Sequence, residues 1–301
     1  ILLSTLWLYL RSGTLLSLFR LRRAPIIAAL YPVVILFGQI LFAALMGRLA
    51  ANVISGGLGI AAGVVLFVLL LMLFRRFDRK FFAYYLLHDF AFWAQAGGAT
   101  PPVLLPLVQR FADQVEAALD GPADEVLVVG HSSGAHLAAV VVAEVLRRRR
   151  AENLSLLTLG QAIPVVSFLP KADDLRRDLH QLSVREDLFW LDVTAPGDGA
   201  CFALCDPVAV SGVAPQKEQH FNPVVISAAF RQSLSPEAYN AHRWNFFRRH
   251  IQYLCAFDRP REYDYFRITA GPLSLRERFG ARGSSAAREG RVFSPHTSMA
   301  P

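Results

Sequence analysis

Cysteine, acidic residues near the start and internal repeats are what this chain has little of. Only three of its 301 residues are cysteine, Cys201, Cys205 and Cys255. That number suits a reducing compartment and does not suggest a disulfide framework. Cys201 and Cys205 have no second ligand pair of the kind a structural zinc site needs, so they read as small buried hydrophobes and no metal is expected. No cofactor motif is present either. Residues 1–80 hold one acid, Asp78, against nine Lys and Arg, a net +8, whereas the whole chain carries +7. The rest of the chain is therefore near neutral (−1). The basic balance belongs to one end of the molecule, and no nucleic-acid partner is expected from it.

Charge is also missing from two long runs. Pro25–Met46 and Val53–Phe74 are each 22 residues without a charged side chain, long enough to cross a hydrocarbon core of ~30 Å. Gly47–Asn52 between them reads as a tight turn, which makes the pair a transmembrane hairpin over 25–80 with the lipid bilayer as partner. Ser55, Gly59 and Gly63 recur every fourth residue in the second run and permit close backbone approach to the first. Arg20, Arg22 and Arg23 precede the first run, and Arg75, Arg76, Arg79 and Lys80 follow the second; the turn carries only Arg48. The positive-inside rule then expects a multi-pass protein of the inner or plasma membrane, with both termini and the downstream domain in the cytoplasm. Two runs with only Gln39 polar at mid-span offer no ion pathway, which disfavours a channel. In residues 1–24, Ile1–Leu10 is apolar but too short to span, and reads as an interfacial segment lying on the bilayer. No small-residue cleavage site follows Leu10 closely, so a signal peptide is not expected. The start at Ile1 is compatible with an extension upstream.

The stretch that organises the rest is Val126-Leu-Val-Val-Gly130-His131-Ser132-Ser133-Gly134-Ala-His136-Leu-Ala-Ala-Val140. An aliphatic strand stops at Gly130, and a small-residue helix starts at Gly134. Gly-His-Ser-Ser-Gly between them fits G-x-S-x-G with Ser132 at the centre. A nucleophilic serine on a sharp strand-to-helix turn needs glycine at the flanking positions to leave room for the backbone. His136, one turn further on, lines a pocket or caps packing, and the second reading is preferred.

This stretch resembles the nucleophile elbow of the α/β-hydrolase superfamily, and the resemblance extends by spacing and chain order over residues 81–270. It implies a mostly parallel three-layer α/β sheet. The coarse pattern agrees: Phe81–Leu87 reads as a strand, Leu104–Leu119 as an amphipathic helix, Val126 onward as a parallel strand joined by a right-handed crossover. Ala135–Arg150 reads as a helix, Leu154–Leu159 as a strand, Ala172–Leu182 as a helix and Leu188–Val193 as a strand. Val224–Phe230 reads as a strand and Pro236–Arg249 as a helix, with His250–Phe257 and Tyr263–Phe266 closing the domain. From Gly271, the Gly, Ser, Ala and Arg content reads as a disordered tail over 271–301.

A serine hydroxyl needs a base, and the base needs an acid to hold its tautomer. The resemblance implies the order Ser, then Asp or Glu, then His. Of Asp192, Asp198 and Asp206, Asp198 is preferred because it sits in Thr194-Ala-Pro-Gly-Asp198-Gly, just past a strand end; an Asx turn is the alternative role. His220, His242, His250 and His296 lie downstream, the last in the tail. His250 is preferred because a late His before an aromatic segment, here His250-Ile-Gln-Tyr253, resembles the class 3 lipases; His220 and His242 stay open. For the oxyanion hole the resemblance implies the Ser133 N–H and a second donor at His88-Asp89-Phe90, from Asp89 or Phe90, or upstream of Ile1. No His-Gly-Gly-Gly run is present. The expectation is a membrane-anchored serine hydrolase, esterase- or lipase-like, cleaving an ester or thioester, acyl lipids included. The alternative is a non-catalytic binding or scaffold protein on the same fold.

Overall fold

The computed structural model describes residues 2–54, 56–78, 83–241 and 245–300. These fall into two compact units, Ile1–Leu6 with Ile27–Phe92, and Trp7–Ile26 with Trp93–Pro301.

The chain opens with helices α1 (Leu2–Arg11) and α2 (Thr14–Leu21), broken at Gly13, whose φ is 75°. Residues 7–26 belong to the second unit and are tied to it: Tyr9 Oη donates to Val165 O (3.1 Å), Thr14 Oγ1 to Phe168 O (2.8 Å) and Arg22 Nε to Ala203 O (3.0 Å). Leu18 and Leu21 are buried, while Trp7, Leu10, Leu16 and Phe19 stay exposed on the outer side.

In the first unit, the two charge-free runs form α3 (Arg23–Val53) and α4 (Gly56–Arg76). Both are long and apolar enough to cross a membrane. Gly47–Asn52 is not the expected turn. Arg48, Leu49, Ala50 and Ala51 are strong helix formers, and α3 continues through them to Val53; α4 begins at Gly56, whose φ of 77° favours glycine. The close approach expected of small residues is found at Gly59 and Gly63, and also at Gly47: a Cβ on Gly59 would overlap Ile54 O and Ala51 O, one on Gly47 would stand 2.7 Å from Gly63 O, and one on Gly63 would overlap Gly47 O. Ser55 lies outside the described residues.

The expected strand Phe81–Leu87 is a helix, α5 (Ala83–Gln95); Phe81 and Phe82 lie outside the described residues. Two features explain the helix. Asp78 accepts from Tyr84 N (2.9 Å) and Tyr85 N (3.2 Å), satisfying free N–H groups of the first turn. Ala83, Leu87 and Ala91 are buried at four-residue spacing, a helical period that a seven-residue apolar run cannot reveal alone. The expected strand–helix–strand crossover into the elbow strand is therefore absent.

The second unit is α/β. After α6 (Leu105–Leu119) come β1 (Val126–His131), α7 (Gly134–Arg148), β2 (Leu154–Leu159), α8 (Ile163–Ser167), α9 (Asp173–Ser183) and β3 (Leu188–Thr194). Then follow α10 (Pro207–Val210) and β4 (Val224–Ser227). The four strands form one parallel sheet in the order β1-β2-β3-β4, with β1 at an edge. Leu157 and Leu159, Phe189, Leu191 and Val193, and Ile226 alternate along their strands and share one core with residues from the C-terminal third. Gly130 has the opposite parity: a Cβ there would meet Ala138 Cβ at 2.7 Å and Gly134 O at 2.7 Å, so α7 packs directly on the strand it follows.

The last third differs most from the sequence expectation. β4 ends at Ser227, three residues early, because Ala229 turns into the left-handed region (φ 48°) and leads into α11 (Phe230–Ser233). The expected helix Pro236–Arg249 appears as α12 (Pro236–Ala241) and α13 (Phe246–Ile251), with Asn245 capping the second through Arg248 N (2.9 Å); residues 242–244, His242 among them, lie outside the described residues. After α14 (Tyr265–Thr269), the expected disordered tail is ordered. Ser274 opens α15 (Leu275–Phe279) with a reciprocal capping box, and Leu275 and Phe279 are core residues. Ser285 N bonds Val225 O (2.8 Å), Cys205 bridges Glu289, and Arg288 Nη1 reaches Asp206 Oδ2 (2.9 Å). Composition misses this because backbone pairing and ion pairs hold the segment with few apolar side chains.

Candidate active site

Ser132 stands where β1 gives way to α7, and its φ of 58° lies in the left-handed region that non-glycine residues avoid. Its backbone is held on both sides: Ser132 N donates to Leu159 O (2.9 Å), and Ser132 O accepts from Ala135 N (3.1 Å). A serine strained at the carboxyl end of a parallel strand is over-determined by its surroundings, the pattern of a residue whose direction matters. Gly130 admits no side chain, as shown above. Ser133 is the N-cap of α7 and Gly134 its first residue, where N–H groups have no partner in the helix ladder.

Asp198 lies in the loop that follows β3, and His250 in the last turn of α13. Fifty-two residues apart in sequence, they meet at 2.7 Å, His250 Nδ1 to Asp198 Oδ2, and both are buried. A carboxylate can only accept here, so Nδ1 carries the proton and Nε2 presents its lone pair. Asp198 also makes the Asx turn that was its alternative role: Oδ1 accepts from Ala200 N (2.9 Å). One oxygen fixes the loop and the other holds the imidazole, so the two roles do not compete. Burial alone would raise the Asp198 carboxyl. The His250 hydrogen bond and charge, with the Ala200 N–H and the Cys201 thiol, outweigh it and hold the group below its ordinary value.

The imidazole of His250 sits against the elbow. A Cβ on Gly160, the residue after β2, would lie 3.2 Å from His250 Cε1 and 2.6 Å from Tyr253 Cε2. His131 and His250 rings are 4.6 Å apart. Ala162 N, two residues past Gly160, reaches Ser132 O at 3.4 Å. Arg249 Nη1 donates to Gly197 O (3.2 Å) and stacks on Tyr239 at 4.8 Å, tying α13 to the Asp198 loop.

No family model matches the chain. No curated protein and no solved structure matches it either.

The other candidates among the described residues are elsewhere. Asp206 caps α10 through Val208 N (3.0 Å) and Ala209 N (3.1 Å), and His220 lies 3.5 Å from it, so this pair forms a separate cluster with the exposed Arg288 around one buried carboxylate. Asp192 is buried within β3 and accepts from Thr158 Oγ1 (2.6 Å); burial pushes its carboxyl up to about 8. His296 contacts Ser12 O at 3.1 Å. Asp89 and Phe90 are corrected: both lie inside α5, where a mid-helix N–H is committed to the carbonyl four residues back and cannot serve an oxyanion. His136 is fully buried with its ring edge-on to Trp93 at 4.3 Å, a packing role, and burial lowers it to about 3. Cys201 and Cys205 are buried free thiols, Cys201 lying 3.5 Å from Tyr253 Oη.

Two residues gain a place that the sequence did not give them. Tyr253 Oη donates to Asp198 Oδ2 (3.1 Å), and its own carbonyl accepts from Tyr263 Oη (2.7 Å). Its signal was the three-residue spacing from His250, which puts both on one helical side. Gly160 carried a weaker signal, a glycine closing a fully buried strand.

Proposed function

We propose that this chain is a membrane-anchored serine hydrolase, esterase- or lipase-like, that cleaves an ester or thioester through an acyl-enzyme. The observation that carries the reading is a serine at left-handed φ between a parallel strand and a helix, whose neighbour His131 lies 4.6 Å, ring to ring, from the His250 of a buried Asp198–His250 pair at 2.7 Å. Ser132 Oγ attacks the acyl carbon while His250 Nε2 takes its proton. Asp198 holds the imidazolium through Nδ1. The imidazolium then protonates the leaving alcohol or thiol as the acyl–oxygen or acyl–sulfur bond breaks. Water repeats the sequence and frees the acid. The Ser133 N–H at the start of α7 supplies one oxyanion donor. A resemblance to the α/β hydrolases and a three-layer arrangement are supported by the parallel sheet, with α7 on one face and the C-terminal core on the other.

The anchor is α3 and α4 as a transmembrane hairpin. Only 28% and 11% of their most apolar stretches are buried, against the mostly buried state of a core helix. Exposed Trp7, Leu10, Leu16 and Phe19, interleaved with Arg11 and Arg20, suit the membrane interface just before α3. The flanking arginines favour a cytoplasmic hydrolase domain. A site held at a bilayer suits acyl-lipid substrates.

A fluorophosphonate probe should label the wild-type chain and not Ser132→Ala, and Asp198→Asn should slow labelling by about three to four orders of magnitude through the wrong tautomer. Wild-type chain that takes no label would leave the second reading, a binding module on the same fold. The engaged N–H groups of Asp89 and Phe90 favour that reading.

A further inference from the structure

The proposed reaction leaves one imidazole at the site without a task. His131 ends β1 and precedes Ser132, so the elbow fixes where its side chain begins. Its Nε2 lies 2.9 Å from the backbone carbonyl oxygen of His250. A carbonyl only accepts, so His131 Nε2 carries a proton and donates it. The titratable groups facing this ring are His250, with ring centroids 4.6 Å apart, Tyr253 at 6.0 Å, and Asp198 through its charge. Burial first, then the His250 charge, lowers His131 to about 4, against the smaller opposing effects of its hydrogen bond and of Asp198. At neutral pH the ring is therefore uncharged, and its single proton is the one on Nε2.

The carbonyl it meets belongs to the last turn of α13, a helix of six residues. Last-turn carbonyls lack helix partners, and a helix this short does not hold its own place in water. Side-chain contacts from other elements must locate the base. Arg249 on α13, and Tyr253 in the turn that follows it, tie this segment to the Asp198 loop. Among these three side-chain contacts, only His131 ties it to the strand that leads into the serine.

We infer that His131 is a positioning residue, whose Nε2–H grips the His250 carbonyl and so sets where the base stands relative to the elbow serine. This rests on the serine hydrolase reading. It is tested on the detergent-solubilised full chain with three substitutions. His131→Phe keeps a planar ring and loses the donor. His131→Gln places an amide N–H near the Nε2 position, and His131→Asn places one too short to reach. Displacing a reacting group by about 1 Å can cost ~100-fold. His131→Phe and His131→Asn should therefore lower the fluorophosphonate labelling rate, and kcat on a short acyl ester, by about 10- to 100-fold. KM should move by less than about 3-fold, since His131 grips backbone, and His131→Gln should restore labelling to within about 3-fold of wild type.

A second readout needs no activity: the low-field proton resonance of His250 Nδ1–H should weaken in the Phe and Asn variants and persist in Gln. Equal behaviour of Gln and Asn, or wild-type rates and resonance in Phe, overturns the inference. If wild type takes no label while the resonance follows this order, the hydrolase reading fails and the positioning role stands.

Discussion

Tyr253 Oη and His250 Nδ1 converge on one oxygen, Asp198 Oδ2, at 3.1 and 2.7 Å. The tyrosine is fully buried, and burial first of all drives its hydroxyl well above the ordinary range. It therefore stays a donor at any working pH. Two donors on one oxygen and the Ala200 N–H on the other keep Asp198 ionised despite its burial.

Tyr253→Phe removes one of those donors. Hydrogen bonds to charged groups contribute about 1.5–3 kcal/mol, part of which water or the remaining donors replace, so the expected loss in kcat is about 10-fold. The sign with pH follows from the depressed Asp198 carboxyl. Its stabilisation is present above the unfolded value of about 3.9 and is lost as pH falls through the lower folded value. The phenylalanine variant raises the folded value, so its acid unfolding should begin at higher pH. Denaturant melts at pH 3 to 6 check the sign; an unmoved acid limb would refute the donor's role.

Gly160→Ala should damage stability and the site together. A Cβ there meets Tyr253 Cε2 at 2.6 Å and His250 Cε1 at 3.2 Å, and the φ of 53° is unfavourable for alanine. Left-handed backbone alone costs about 1–2 kcal/mol for a residue with a Cβ. The expected signature is a lower Tm together with slowed Ser132 labelling. Lowered Tm with unchanged labelling would mean that His250 does not depend on this contact.

Asp192→Asn should change how stability varies with pH. Asp192 rises from an ordinary 3.8 to about 8 because it is buried, so the folded chain holds its proton where the unfolded chain has released it. Stability is then fullest below the unfolded value and falls as pH rises towards 8, at about 1.4 kcal/mol per pH unit at the steepest. The amide cannot titrate. Urea unfolding at pH 5, 7 and 9 should show this decline in wild type and a flatter course in the variant. Parallel slopes would place the proton elsewhere.

Gly63→Leu should part the two apolar helices, because a side chain at 63 overlaps Gly47 O. Small residues at a crossing allow the close packing that holds helices in lipid. A lower melting temperature in detergent is expected, with Ser132 labelling at moderate temperature retained. An unchanged melting temperature would argue that Gly47 and Gly63 are not a packing contact in the folded chain.

Local pattern determined a good deal. The aliphatic run before Gly130, and those at Leu154 and Leu188, fixed three strands within a residue, since apolar length bounded by turn residues is a short-range property. The uncharged runs fixed α3 and α4 as helices because their length and composition have few other outcomes. Ser132 was legible because a tight strand-to-helix turn demands glycine on both sides. Sequence also offered Asp198 and His250, but only as the preferred members of sets: Asp192 and Asp206 were rivals for the acid, and His220 and His242 stayed open for the base. Only the tertiary structure brings Asp198 and His250 together, because meeting across fifty-two residues depends on how two loops fold over the sheet, and no local propensity encodes that distance. The same holds for α5, where a short apolar run could alternate or spiral until Asp78 supplied its cap. It holds for the tail, where backbone pairing with Val225 and an ion pair with Asp206 ordered a segment whose composition alone reads as disorder.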